Sequence, residues 1–261
     1  LDAEIISYIR LQQELLNRGI RTYLPDESTF NLRDKLKLYK YFTEHGIKVP
    51  KTAILSDLAQ IKEDKMDIDY PFFVKGRYYE AYKANNKDEA QSRYTELEHK
   101  WGLPIIAQEL IHGDEFNVVM LGRGDGSIVG MVPQRKLVIT EKGKGFGGVV
   151  VRNPALDEIS RKVLALLKWK GALELELIKD SKNDFHLIEI NPRFPAWVRL
   201  AEGAGQNLPA ALVMLALGQQ VESFPDCTPG TMFIRHSEDI ISNISTMGLL
   251  SSSGELNNKG K

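Results

Sequence analysis

Gly171-Ala-Leu-Glu174-Leu-Glu176-Leu-Ile178, a polar gap, then Phe185-His-Leu-Ile-Glu189-Ile-Asn191-Pro-Arg193 is the stretch that decides the fold. In the first run Leu173, Leu175 and Leu177 alternate with Glu174 and Glu176, so a strand puts the leucines on one face and the glutamates on the other. A hairpin turning within Ser181–Asp184 pairs 178 with 187, and therefore 176 with 189 and 174 with 191. Cross-strand partners lie about 5 Å apart, where like charges destabilise the sheet. Carboxylates and an amide oxygen gathered on one face call for a cation, and hard oxygen donors without sulfur or imidazole select Mg²⁺ or Mn²⁺ over zinc. The residues alone leave a second reading open, a solvated strand face.

Working outward, the elements on either side alternate in kind. Apolar residues at helical spacing across Leu1–Arg18 predict a helix stopped by Gly19, and Ile20–Leu24 reads as a strand ended by Pro25. Asn31–His45 reads as a helix closed by Gly46, and Thr52–Leu55 and Tyr70–Val74 as strands. Asp88–Lys100 is helical in pattern, and Pro104–Leu110 is a buried-strand run. Phe116–Leu121 and Ile128–Pro133 flank the turn signal Gly122–Gly126 and predict a hairpin. Leu156, Ile159, Val163, Leu166 and Leu167 fall on one helix face, and Asn207–Leu217 reads as a buried helix. The last eleven residues, Ser251–Lys261, read as a disordered polar tail. Strands following strands, with helices between, indicate an α+β fold.

Composition narrows the function. Of 261 residues 43% are hydrophobic and 26% charged, ordinary globular usage. Lys plus Arg is 34 and Asp plus Glu 35, a net charge of −1, which suggests neither a nucleic-acid nor a membrane-surface partner. The longest apolar run, Leu208–Leu217, is too short to cross a bilayer. The single cysteine, Cys227, excludes an intramolecular disulfide and a cysteine zinc site. Leu1, Asp2 and Glu4 give no signal-peptide pattern, so the chain reads as cytoplasmic and as a fragment of something longer. Gly143-Lys-Gly145-Phe-Gly-Gly148 satisfies the dinucleotide-binding glycine pattern, but Val149-Val150-Val151 follows where a helix is required, so it reads as a mobile loop.

Glu-Ile-Asn-Pro-Arg after a short hairpin, with Glu176 thirteen residues before Glu189, resembles the metal-binding signature of the ATP-grasp superfamily, in the pattern of carbamoyl-phosphate synthase large subunits and biotin carboxylases. Further motifs follow in the family's order. Asp34-Lys35 resembles the segment whose lysine contacts ATP phosphate. Tyr70-Pro-Phe-Phe-Val-Lys75 resembles the strand whose lysine reaches the α-phosphate. Ile105-Ile-Ala-Gln108-Glu109-Leu110-Ile-His-Gly-Asp-Glu115 is similar to the adenine hinge, with the backbone near Leu110 reading adenine, Gln108 facing its amino group and Glu115 holding the ribose. The resemblance covers roughly 31–235. It implies an ATP-grasp fold, two α+β subdomains clamping ATP between antiparallel sheets. Residues 1–30 would be the remnant of an upstream domain, 31–107 the small subdomain with its preceding helix, 108–250 the large subdomain with the metal site, and 251–261 the tail.

The activity that the resemblance implies is that of an ATP-dependent ligase, which activates a carboxylate as an acylphosphate for attack by an amine or similar nucleophile. Glu176, Glu189 and Asn191 would hold Mg²⁺ or Mn²⁺ on the phosphates, and Arg193 would stabilise the transferred phosphoryl group. Arg135 and Lys136 follow a strand and extend the positive wall; Phe194, Trp197 and Arg199 either line a substrate pocket or pack the next helix. Small-molecule substrates are the expected partners, and a homodimer is left open. One departure matters. Family members carry a glycine-rich flap after the strand lysine, whereas this chain has Gly76-Arg-Tyr-Tyr-Glu-Ala-Tyr-Lys83. Either Arg77 or Lys83 takes over its charge role, with Lys142–Gly148 as a replacement lid, or the chain is a nucleotide-binding or regulatory module with little turnover.

Overall fold

The computed structural model describes residues 2–63, 65–76, 80–139, 145–236, 238–239, 241 and 243–253. The chain opens with α1 (Asp2–Arg10), α2 (Gln12–Asn17), α3 (Glu27–Asn31) and α4 (Lys35–Glu44). The helix expected across Leu1–Arg18 therefore breaks at Leu11, and the one expected from Asn31 begins at Lys35. There Asp34 accepts from the N–H groups of Leu36 and Lys37, satisfying donors that a helix start leaves open. Residues 20–24 have no regular secondary structure and join no sheet, which corrects the expected strand.

A first group of elements follows: β1 (Thr52–Leu55), α5 (Ala59–Lys62), β2 (Phe72–Lys75), β3 (Ala81–Ala84), α6 (Lys87–Trp101) and β4 (Ile105–Glu109). Its strands form a four-stranded antiparallel sheet in the order β1-β4-β2-β3. Leu55, Phe72, Val74, Ile105 and Ala107 project from one face onto Tyr94 and Leu97 of α6, which makes a core of its own. Alternation sends Phe73, Lys75, Ile106 and Gln108 to the other face.

The chain continues through β5 (Asp114–Arg123), β6 (Ile128–Ile139), β7 (Gly145–Val150), α7 (Pro154–Leu167), β8 (Lys170–Lys179), β9 (Phe185–Asn191), α8 (Arg199–Gly203), α9 (Leu208–Ala216), β10 (Met232–Ile234) and α10 (Ile244–Ser253). The strands form a six-stranded antiparallel sheet, β10-β7-β6-β5-β8-β9. Gly145–Gly148 are thus strand residues and not a loop, and the remainder of the expected lid, 142–144, lies outside the described residues. The tail is helical up to Ser253, and 254–261 also lie outside. On one face of this sheet Phe116, Val118, Met120, Leu173, Leu175 and Leu177 pack against α1, α4 and α7. On the other, Val119, Leu121, Val132 and Val150 pack against Trp197, α8 and α9, covering about half of that face. Of α9 only Leu208 and Ala211 are buried, and Val213 and Leu217 stay about half exposed, so the helix lies on the surface and not in the interior.

The chain passes from the large sheet to the small one near 48–52 and back at 109–114, and the two passages are tied together. Glu109 N–H donates to Lys51 O at 2.9 Å, and Lys51 N–H donates to Glu109 Oε2 at 2.9 Å. Among the described residues no helix is long and apolar enough to cross a membrane.

Candidate functional site

The uncovered half of the large sheet's second face is polar, and each strand changes character along its length. In β5, Glu115 and Asn117 precede Val119 and Leu121 on one face; in β6, Gln134 and Lys136 follow Val132. In β8–β9, Glu176 pairs with Glu189 and Glu174 with Asn191, as the sequence spacing predicts. The outer pairing differs. A bulge between Glu176 and Leu177 leaves Ile188 extra, so Ile178 pairs with His186 and not with 187. The bulge lets Leu187 and Glu189 face opposite sides although two residues apart.

Glu174 organises this strip. It is 4% exposed and accepts from Asn117 Nδ2 at 2.7 Å, Trp197 Nε1 at 2.9 Å, Asn191 Nδ2 at 3.2 Å and Arg193 NH1 at 3.2 Å. A buried carboxylate is tolerable only with such a set of donors. Asn191 Nδ2 also donates to Glu176 Oε1 at 2.9 Å, which leaves the amide oxygen as the group's acceptor. Lys136 Nζ donates to Glu115 Oε2 at 2.7 Å and lies 3.6 Å from Glu176 Oε2. Burial works against its charged form, but Glu176 and Glu115 outweigh that and hold the ammonium above its ordinary range. Burial, opposed by Lys136 but reinforced by Glu174 and Glu189, holds the Glu176 carboxyl above its ordinary value.

Two lysines meet this strip. Lys35, first residue of α4, brings Nζ to 3.8 Å from Glu189 Oε1. Lys75, at the end of β2, donates to Gln108 Oε1 at 2.6 Å, and Gln108 Nε2 donates to Thr52 Oγ1 at 3.1 Å. Burial, then the Lys35 ammonium, push Lys75 down to about 8 against the pull of Glu189 and Glu176, so all four residues share one electrostatic environment. Lys35, Lys75, Lys136 and Arg193 are thus matched by Glu115, Glu174, Glu176 and Glu189, and a polyphosphate entering the cluster needs an additional cation.

Of the residues singled out by sequence, Lys35, Lys75, Gln108, Glu115, Glu176, Glu189, Asn191 and Arg193 come together here. Leu110 follows β4 in the passage between the sheets. The Glu109 side chain stays apart, because alternation turns it to the face opposite Gln108, where Lys51 N–H holds it. Arg77 lies outside the described residues, and Lys83 is in β3, paired with Phe73. Trp197 and Phe194 belong to the packing under α8, with Arg199 the first residue of that helix. Asn117 escaped the sequence reading; its signal was a lone amide in an apolar strand at the spacing of Glu115. Lys136 lies within β6, not after a strand.

Among the described residues no group of three or more His, Cys, Asp or Glu side chains is arranged to hold a metal. What register does gather there is Glu176 opposite Glu189 and Asn191 opposite Glu174, oxygen donors of the kind that suit Mg²⁺ or Mn²⁺.

The family described as "ATP-grasp in the biosynthetic pathway with Ter operon" matches residues 103–238, just over half of the chain. A coenzyme gamma-F420-2:alpha-L-glutamate ligase of Methanococcus maripaludis is 31% identical over 114 residues, 41% of this chain and 39% of that protein. An uncharacterized protein of Methanocaldococcus jannaschii is 27% identical over 227 residues, 82% of this chain and 54% of that one. Biotin carboxylase of Campylobacter jejuni, solved with β,γ-ATP, superposes with a TM-score of 0.70 at 18% identity, covering 82% of this chain and 53% of that one. The chain spans about half or less of the length of the curated relatives it matches. With the matched segment running from just before β4 through the Glu176–Arg193 hairpin and on to residue 238, the chain belongs to the ATP-grasp superfamily, in the family named for the biosynthetic pathway with the Ter operon.

Proposed function

We propose that the chain binds Mg-ATP between its two sheets and is the catalytic part of a ligase that activates a carboxylate as an acylphosphate for capture by an amine or similar nucleophile. The observation that carries this reading is the meeting of Lys35 and Lys75 with Glu176, Glu189 and Asn191, cations from one side and oxygen donors from the other. Lys35 and Lys75 would hold phosphate oxygens, the Glu109–Leu110 backbone and Gln108 the adenine edge, and Glu115 the ribose. Glu176, Glu189 and Asn191 would hold the divalent cation, whose charge would offset that of the β- and γ-phosphates. Arg193 would stabilise the phosphoryl group as a substrate carboxylate oxygen bonds to the γ-phosphorus and the bond to the bridging oxygen breaks, releasing ADP. The nucleophile then forms its bond to the acyl carbon, phosphate leaves, and the amine proton passes to solvent. The relative named for L-glutamate supports an amino acid as one of the substrates.

Calorimetric ATP affinity and ADP release, measured with Mg²⁺ and a panel of amino acids and carboxylic acids, test this. Lys75→Ala is expected to weaken ATP binding about 10- to 150-fold, the worth of one charged hydrogen bond. Glu189→Gln is expected to suppress ADP release more than affinity, because cation charge matters most as the γ-phosphoryl group separates. Negligible effects on both quantities overturn the site. Weakened affinity in both variants of a protein that never turns over favours the binding-module reading, which the single glycine after Lys75 supports.

A further inference from the structure

Gln108 is buried, and both ends of its amide are engaged on the face of the small sheet that carries Lys75. Lys75 Nζ donates to its Oε1 at 2.6 Å, and its Nε2 donates to Thr52 Oγ1 at 3.1 Å. Thr52 is its register partner on β1 and is buried as well. Thr52 Oγ1 in turn donates to Pro50 O at 2.9 Å. A hydroxyl has one hydrogen and a carbonyl oxygen only accepts, so Thr52 offers Gln108 lone pairs alone. An ammonium has no acceptor, so Lys75 requires an oxygen. Both neighbours therefore impose the same sense on an amide whose two ends are otherwise alike in shape. They differ in permanence. Lys75 gains a competing partner as soon as phosphate oxygens arrive, whereas Thr52 is held by the backbone carbonyl of Pro50.

We infer that Thr52 is a positioning residue for base choice: it keeps the Gln108 amide oxygen on the Lys75 side, so that the site takes a 6-amino purine and rejects a 6-oxo purine. An amide oxygen accepts from a 6-amino group but repels a 6-oxo group. An amide free to turn would serve either. The choice of base rests on the ligase reading, which puts adenine at Gln108; the sense of the amide does not.

The test has one arm without nucleotide and one with it. In the ligand-free protein, hydrogen exchange of the Gln108 side-chain amide is followed by NMR, its signal assigned through Gln108→Glu. Exchange should be slow in wild type and Thr52→Ser, which keeps the hydroxyl, and faster in Thr52→Val, which keeps only the shape. Thr52→Ala replaces the valine variant if that one does not fold. In the second arm, calorimetry compares ATP with inosine triphosphate, its 6-oxo analogue. Wild type and Thr52→Ser should favour ATP about tenfold or more, and Thr52→Val about threefold or less. A carboxylate has the same oxygen at both ends, so in a Gln108→Glu background Thr52→Val should leave the ratio unchanged. A merely structural role would weaken both nucleotides alike. An unaltered ratio in Thr52→Val, a serine variant that behaves like it, or exchange that ignores the substitution overturns the inference. Exchange as expected in a protein that binds neither nucleotide sinks the ligase reading and the base choice, and leaves the sense of the amide standing.

Discussion

Val119 and Asn117 stand two residues apart on the same face of β5, yet they belong to opposite environments. Val119 pairs with Val132 and lies under the packing of α8 and α9, while Asn117 pairs with Gln134 and donates to Glu174. Glu174 is at the border, opposite Val119 in register but bonded to Asn117 and to the indole of Trp197, whose ring belongs to the apolar half. One half of the face is built for packing, and its polar groups are few. The other half sets Glu174 and Glu189 beside Glu176, whose charged form burial and the two neighbouring carboxylates disfavour. Stability and ligand affinity should therefore respond to substitutions in the two halves in opposite ways.

The largest expected effect is in the packed half. Leu121→Ala removes a fully buried side chain and should cost about 2–5 kcal/mol in denaturant unfolding. ATP affinity of the folded fraction should not change; a loss of affinity would mean that the halves are not separate. At the border, Glu174→Leu strands the buried N–H donors of Asn117 and Trp197, which should cost on the order of 3 kcal/mol and also disturb Asn191. If this variant unfolds at the wild-type midpoint, Glu174 does not organise the strip.

A third expectation concerns pH. The folded Lys75 titrates at about 8, below the roughly 10.4 of an unfolded lysine. Between those values the unfolded chain holds a proton that the folded chain has lost, so wild-type stability should gain as pH rises through that window. Below pH 8 both states are protonated and the penalty is fully present. Relative to Lys75→Met, wild type should gain stability only from about pH 8 upward, measured by urea unfolding at several pH values. A constant difference from pH 7 to 10 would refute the assignment. The smallest effect is expected from Glu176→Gln, which relieves carboxylate repulsion across the hairpin and should raise apo stability by about 0.2–1 kcal/mol while impairing turnover. A variant that is both less stable and fully active would erase the contrast between the halves.

Sequence made the polar strip legible where strand alternation alone decides the outcome. Glu176 and Glu189 are partners because a short hairpin and a period of two leave few alternatives. The bulge at Ile188 was not legible, since no residue there demands it, and it changes only the pairings beyond it. Lys136 was misplaced because its burial depends on Glu115 and Glu176 arriving from two other strands. Ile20–Leu24 has the composition of a strand, but the place it occupies, against the start of β8, has no ladder to offer. A Cβ on Gly171 would lie 2.4 Å from the carbonyl oxygen of Tyr23, so the contact there is backbone against backbone without pairing.

The tied passages between the sheets bear on how the molecule can be taken apart. Thr52 and Gln108, near the two ends of the small unit, are register partners, so those ends lie about 5 Å apart. Among the described residues, the core of that unit draws only on residues from 53 to 107, and neither core of the large sheet draws on any of them. In architectural terms the small sheet is an insertion with adjoining ends. It can be excised and closed with a short turn, or exchanged for another of its kind, without opening either core of the host.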